Sequence, residues 1–192
     1  MHDTDSEWGD ADSALVSYFD VLMGDPHTER TGDVDFYVRQ ASERGGPVLE
    51  LGCGTGRVLL PIARANVEID GVDGSSGMLA VLKAKLEHLG RPGNLGRLYR
   101  CSMECFTLDR RYNVIICPYI GFQYLLEIGD QLACLRSVRG HLNNDGVFIF
   151  DVYDPDVSRL AKSSAGSGSL GPRQVVRLDR DRIVLRDEEI ST

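Results

Sequence analysis

Apolar residues recur along the chain in two alternating rhythms, one helical and one strand-like, and the alternation predicts an α/β architecture. Ala14, Leu15, Tyr18, Phe19 and Leu22 stand at helical spacing. So do Val34, Val38 and Ala41, in a segment that Asp33 would cap and Gly45-Gly46 would stop. Two short helices thus precede a first strand over 47–51, whose Val48-Leu49-Glu50-Leu51 run ends in Gly52-Cys53-Gly54-Thr55-Gly56. Helical character resumes over 57–64, with Pro61 near the first turn, where its missing N–H does least harm. The plan then repeats. Residues 67–72 read as a strand, Asp73-Gly74-Ser75-Ser76 as a turn with a helix cap, and Met78, Leu79, Leu82, Leu86 and Leu89 as the buried stripe of a helix closed by Gly90. Further strands are predicted at 98–101, 113–117 and 147–152. Leu132, Leu135, Val138 and Leu142 mark a helix between the last two, and Asn143-Asn144-Asp145-Gly146 turns the chain into the fifth strand. Uninterrupted apolar strands such as Val114-Ile115-Ile116 and Val147-Phe148-Ile149-Phe150, separated by helices, call for a doubly wound, mostly parallel sheet covered on both faces.

Beyond Asp156 the character changes. Residues 162–172 are rich in Gly and Ser, and Val175-Val176 and Ile183-Val184-Leu185 flank Asp179-Arg180-Asp181-Arg182 as a hairpin would. The organisation read from this is a leader with cap helices over 1–46, a core over 47–156, and a linker with a hairpin over 157–192.

Composition narrows the class. With 192 residues, 42% of them apolar, and a formal charge of −8, the chain reads as one globular domain able to bury about 70% of its unfolded surface. No apolar run approaches the roughly 20 residues of a membrane span. The acidic start has no basic region of the kind a signal peptide carries. Residues 1–35 hold ten acids and one base, which leaves the remainder at +1 and argues against a basic nucleic-acid footprint. Five cysteines without a C-x-x-C pair point to a reducing cytoplasm and to no zinc site.

The loop Glu50-Leu51-Gly52-Cys53-Gly54-Thr55-Gly56-Arg57 lies between a predicted strand and a predicted helix, where glycines let a ligand approach the backbone. A G-x-G-x-x-G dinucleotide fingerprint would need glycine at position 57 or 59, which are Arg57 and Leu59, and no Gly-Lys-Ser/Thr is present for a P-loop. A carboxylate two residues before the first glycine disfavours a bound pyrophosphate and suits a cationic ligand. S-adenosylmethionine, with an ammonium and a sulfonium and no phosphate, fits that description.

The run from Val48 to Arg57, followed by Gly71-Val72-Asp73-Gly74-Ser75-Ser76-Gly77-Met78-Leu79, resembles the first two motifs of class I S-adenosylmethionine-dependent methyltransferases of the bacterial small-molecule type. The similarity extends from about Tyr18 to about Asp156 and includes Tyr112–Cys117 and the Leu142–Asp151 stretch. It implies a Rossmann-like fold with S-adenosylmethionine as cofactor. Glu50 would face the methionine ammonium, and the backbone of Gly52, Cys53, Gly54 and Gly56 would lie against the methionine portion. Asp73, 17 residues beyond Gly56, is placed to accept from both ribose hydroxyls, the alternative being a helix cap. Met78 would pack on adenine or in the core. Ser102-Met103 stands where the family often has Asp-Met, so Ser102 offers adenine an uncharged acceptor or no contact at all, beside an unaffected Met103 backbone. Cys117 completes the cofactor-facing set; as a nucleophile it is expected to be buried and inert.

In-line methyl transfer needs alignment above all, so no catalytic dyad is required. Tyr119, after the fourth strand, is the candidate for steering the acceptor, its alternative being a packing aromatic. The Ile116-Cys117-Pro118-Tyr119 sequence lacks the polar residue and first proline of methyltransferases acting on nucleic-acid bases, which leaves a small-molecule acceptor. A non-catalytic cofactor-binding protein, a truncated methyltransferase and a generic Rossmann nucleotide binder are the alternatives. The sixth and seventh strands of the family's sheet are not evident; if the C-terminal strands are truncated, the fifth strand has an open edge suited to a homodimer, to swapping or to aggregation unless the terminal hairpin covers it.

Overall fold

The computed structural model describes residues 16, 19–20, 32–90, 92–152, 174–177 and 183–186. Of the first predicted helix only Phe19 falls among them, flanked by Val16 and Asp20; Ala14, Leu15, Tyr18 and Leu22 lie outside the described residues. Residues 162–172 lie outside them as well.

Two compact units make up the chain, 1–152 and 153–192. In the first, the order is α1 (Gly32–Arg44), β1 (Val48–Leu51), α2 (Leu59–Arg64), β2 (Ile69–Asp73), α3 (Ser76–Leu89), β3 (Leu95–Arg100), β4 (Tyr112–Cys117), a 3-10 turn (Gly121–Tyr124), α4 (Ile128–His141) and β5 (Leu142–Phe150). The five strands form one sheet in the order β3-β2-β1-β4-β5, every pair parallel. In the second unit β6 (Gln174–Arg177) and β7 (Ile183–Arg186) pair antiparallel, Val175 opposite Leu185, which is the hairpin that the flanking apolar runs anticipate.

Burial explains the layering. Val48, Ile69, Val114 and Ile116 pack one face of the sheet against Val34, Tyr37 and Ala41 of α1, Leu59, Leu60 and Ile62 of α2, and Leu79, Leu82 and Leu86 of α3. The intervening positions, Leu49, Leu51, Val72, Ile115 and Cys117, pack the other face against Cys134 and Val138 of α4 and against Phe106 and Leu125. All four residues of β1 are buried, as a strand at the centre of a doubly covered parallel sheet requires.

Three elements depart from expectation. Helix α4 buries Cys134, Val138 and His141, while Leu132 and Leu135 stand half-exposed. The His141 ring turns inward because its two nitrogens are both satisfied: Nδ1 donates to Ser137 O at 2.7 Å and Nε2 accepts from Leu108 N–H at 2.9 Å. Asn143-Asn144-Asp145-Gly146 is a bulge within β5, where register jumps from Tyr112–Leu142 to Val114–Val147. Asn143 donates its side-chain amide to Asn113 Oδ1 at 2.8 Å, which holds the extra residues against the ladder. Asp33 falls inside the first turn of α1, where it pairs with Arg57 at 2.6 Å.

Candidate functional site

In a parallel sheet, ligands bind beyond the carboxyl ends of the strands, where the strand order reverses. Here that point lies between β1 and β4, flanked by the loops after β2 and β3. Glu50 sits between Gly71 of β2 and Ile116 of β4. It is 3% exposed, and its Oε2 has no hydrogen-bond partner. Burial pushes its carboxyl well above the usual range; Arg57 opposes the rise and Asp73 adds to it. A buried orphaned carboxylate oxygen is rare in a folded protein, and its complement is a positive charge brought by a ligand. A cofactor with an ammonium group fits that vacancy in the hydrogen-bond network.

The glycine loop divides its labour. Gly52, Gly54 and Gly56 all have positive φ, at 67°, 50° and 90°. A Cβ on Gly54 would meet nothing within 4 Å, and one on Gly52 only the Met103 methyl at 3.6 Å, so these two leave the backbone open to a ligand. At Gly56 a Cβ would stand 2.7 Å from Leu82 Cδ1 and 3.0 Å from Leu60 Cγ. Gly56 thus lets α2 and α3 close on the loop. Gly56→Ala is expected to cost about 2 kcal/mol, from overpacking and the left-handed backbone together, read as a lowered urea midpoint. Cys53 donates its N–H to Val72 O at 3.0 Å and buries its side chain, with its Sγ 2.9 Å from where a Cβ on Gly71 would lie.

Asp73 receives Gly54 N–H on Oδ2 at 2.7 Å and Ser75 N–H on Oδ1 at 2.8 Å. Burial raises its pKa, and these two backbone bonds oppose the rise. Ser75 caps α3, its hydroxyl accepting from Met78 N–H at 3.1 Å. The cap is therefore supplied without Asp73, whose oxygens each retain capacity to accept one more hydrogen bond. The side chain of Met78 is buried. The loop after β3 begins beside Asp73, with Cys101 N–H donated to Asp73 O at 3.2 Å. Ser102 is exposed at its tip, and its hydroxyl accepts from Glu104 N–H at 3.4 Å.

Cys117 is fully buried, and burial pushes its thiol far up, with Cys134, Glu50 and Asp151 adding to the shift. It stays protonated at neutral pH. Tyr119 is 38% exposed, and the Arg57 guanidinium lies over its ring at 5.2 Å.

Two anchors escaped the sequence reading. Asp20 accepts from the Thr55 hydroxyl at 2.6 Å and pairs with Lys85 at 2.6 Å, while Lys85 also donates to Thr55 O at 3.0 Å, so the glycine loop is tied to the amino-terminal segment. Asp151, just past β5, accepts from Tyr37, Tyr119 and Ile120. The available signal was an acid ending an apolar strand at the ligand end of a parallel sheet.

A family model described as methyltransferase domain matches residues 48–146, over half of the chain. Among curated proteins, the chain is 24% identical over 173 residues to dTDP-3-amino-3,6-dideoxy-alpha-D-glucopyranose N,N-dimethyltransferase of Streptomyces fradiae, covering 88% of this chain and 65% of that one. Among solved structures, the CcbJ methyltransferase of Streptomyces caelestis superposes with a TM-score of 0.69 at 23% identity, over 95% of this chain and 70% of that one. SAM-bound CalS10, an amino pentose methyltransferase of Micromonospora echinaspora, gives 0.61 at 22% identity, over 85% and 63%. The chain spans from 53% to 68% of the length of the curated relatives it matches. A methyltransferase model over 48–146, on a five-stranded parallel sheet whose glycine loop adjoins a buried unpaired carboxylate, settles the kinship: the chain belongs to the methyltransferase domain family, whose cofactor is S-adenosylmethionine.

Proposed function

We propose that this chain transfers a methyl group from S-adenosylmethionine to an amine on a small molecule, an amino sugar being the first class to try. The observation that carries the cofactor assignment is the unpartnered Glu50 Oε2 beside the glycine loop. The amine follows from what the relatives in Streptomyces fradiae and Micromonospora echinaspora are named for. When bound, the cofactor supplies an electrophilic methyl on sulfur. Glu50 holds its ammonium, the open backbone at Gly52 and Gly54 lies along its amino-acid part, and Asp73 accepts from the ribose. Met103 and Ser102 flank the base, and Tyr119 stands toward the acceptor. An acceptor amine would take that methyl with its lone pair, leaving S-adenosylhomocysteine, and would release its proton to solvent. Nucleic acid is disfavoured as acceptor by the Ile116-Cys117-Pro118-Tyr119 sequence. Among the described residues strand β5 pairs only with β4 in its sheet, which favours a homodimer through that edge; light scattering on a sizing column gives the mass directly.

Calorimetric titration with S-adenosylhomocysteine tests the cofactor site. Asp73→Ala is expected to weaken binding about 10- to 100-fold, the worth of hydrogen bonds to a charged acceptor. No binding by the native chain, or equal binding by the variant, would sink the assignment. Methyl transfer from labelled cofactor to a panel of dTDP-linked amino sugars tests the acceptor class, and turnover confined to hydroxyl acceptors would refute it.

A further inference from the structure

The turn after β4 is strained, and one carboxylate holds it. Tyr119 and Ile120 both occupy the left-handed region, at φ 57° and 53°. For a β-branched residue such as Ile120 this is a true outlier, which persists only where surrounding contacts fix it. Those contacts converge on Asp151: Tyr119 N–H donates to Oδ1 at 2.8 Å and Ile120 N–H to Oδ2 at 2.7 Å. Two successive N–H groups aimed at one anion form a small nest. A third donor comes from α1, the Tyr37 hydroxyl, at 2.6 Å from Oδ1. Tyr37 is buried and keeps its proton, because burial and the Asp151 carboxylate both raise its pKa. The Tyr119 ring in turn lies under Arg57, which is paired with Asp33 of α1 at 2.6 Å. Strand β4 delivers this turn next to Glu50, since Ile116 pairs with it in register.

We propose that Asp151 is a positioning residue for the acceptor side of the site, its carboxylate holding Tyr119 and Ile120 in the strained turn that presents the Tyr119 ring beside Arg57. That presentation matters for methyl transfer only if the methyltransferase reading holds; the Asp151 contacts themselves do not depend on it. Tyr37 and Arg57 link the same turn to α1.

The test places 3-fluorotyrosine at position 119 and follows its 19F resonance, with calorimetry of S-adenosylhomocysteine alongside. Asp151→Asn is expected to shift and broaden that resonance while leaving the affinity within about threefold, because the hydrogen bonds of Asp151 go to Tyr37, Tyr119 and Ile120 and to none of the residues assigned to the cofactor. Tyr37→Phe, which removes one hydroxyl and no amide bond, is expected to leave the resonance near its native position. An unchanged resonance in Asp151→Asn, or a Tyr37→Phe shift as large as that of Asp151→Asn, overturns the proposal. Should Asp151→Asn fail to fold, Ile120→Gly combined with it is expected to restore the folded spectrum, since glycine accepts a left-handed backbone without the carboxylate; failure there also overturns it. Absence of S-adenosylhomocysteine binding by the native chain would refute the cofactor reading and leave the Asp151 result standing.

Discussion

Glu50→Gln is expected to weaken S-adenosylhomocysteine binding by about 10- to 100-fold and, in the same protein, to raise the melting temperature of the ligand-free chain. The two effects have one cause. Glu50 is buried with Oε2 unpartnered, so the ligand-free fold carries a carboxylate that it does not satisfy. Gln has the same shape and no charge to desolvate, and a gain of about 1 kcal/mol corresponds to about 2–4 °C for a chain of this size. The same change removes the anion that the methionine ammonium would meet, an interaction of about 1.5–3 kcal/mol.

The pH dependence has a definite sign. Because the folded-state pKa is raised above the ordinary 4.5, the folded chain holds a proton that the unfolded chain releases, and stability falls as pH climbs from about 4.5 through the folded value. The advantage of Glu50→Gln is therefore nil in acid and grows upward from that point. At a pH below the raised folded value, binding that recruits the ionised form expels a proton. Calorimetry in two buffers of different ionisation enthalpy should detect the release in the native chain and not in the variant. A variant that melts lower than the native chain at pH 8 would show that Glu50 is a structural group.

Asp70→Ala is expected to cost about 3–5 kcal/mol and to lower the melting temperature by about 6–20 °C, with S-adenosylhomocysteine affinity changed less than threefold in the folded fraction. Asp70 lies on the same strand as Asp73, three residues or about 10 Å away. Its surroundings are entirely internal. Oδ1 accepts Arg97 N–H at 2.6 Å, where the β2–β3 register shifts, and Oδ2 accepts the Tyr112 hydroxyl at 2.8 Å and Arg110 at 3.3 Å. Gly96 is required beside it, since a Cβ there would collide with Asp70 Oδ1. Removing the carboxylate orphans a buried hydroxyl and a backbone N–H and leaves Arg110 with Glu68, an exposed partner at 2.9 Å. Thermal melts monitored by circular dichroism read the loss. A large fall in ligand affinity without a fall in stability would reverse the assignment of roles between Asp70 and Asp73.

That pair shows where sequence reading stops. Both are acids on one strand. The position of Asp73 at the strand's end, a fixed distance from the glycine loop, marked it as the candidate ligand contact, whereas nothing local distinguished Asp70 as the hub of a buried network. The helix α4 stripe held at Val138 and failed at Leu132 and Leu135 for a related reason: hydropathy ranks these leucines above His141, but the hydrogen bonds from Leu108 and to Ser137 make His141 the better buried residue. The bonds that make Asp20 and Asp151 anchors were not legible because their partners, Thr55 and Lys85 for the first and Tyr37, Tyr119 and Ile120 for the second, are 31 to 114 residues away in the chain, and the place of Asp151 at the end of an apolar strand was its one local signal.

By itself the sequence determined the parallel sheet and the ligand end of it. Apolar runs long enough for strands alternate with helical stripes, and a glycine turn between strand and helix has few conformations open to it. What only the tertiary structure decided was which polar groups are left unpaired and which are spent. Glu50 keeps a free buried oxygen, while Asp70, Asp151 and His141 are bonded on the sides that the structure turns inward. That division depends on contacts between residues distant in the chain, and local propensity carries no information about them.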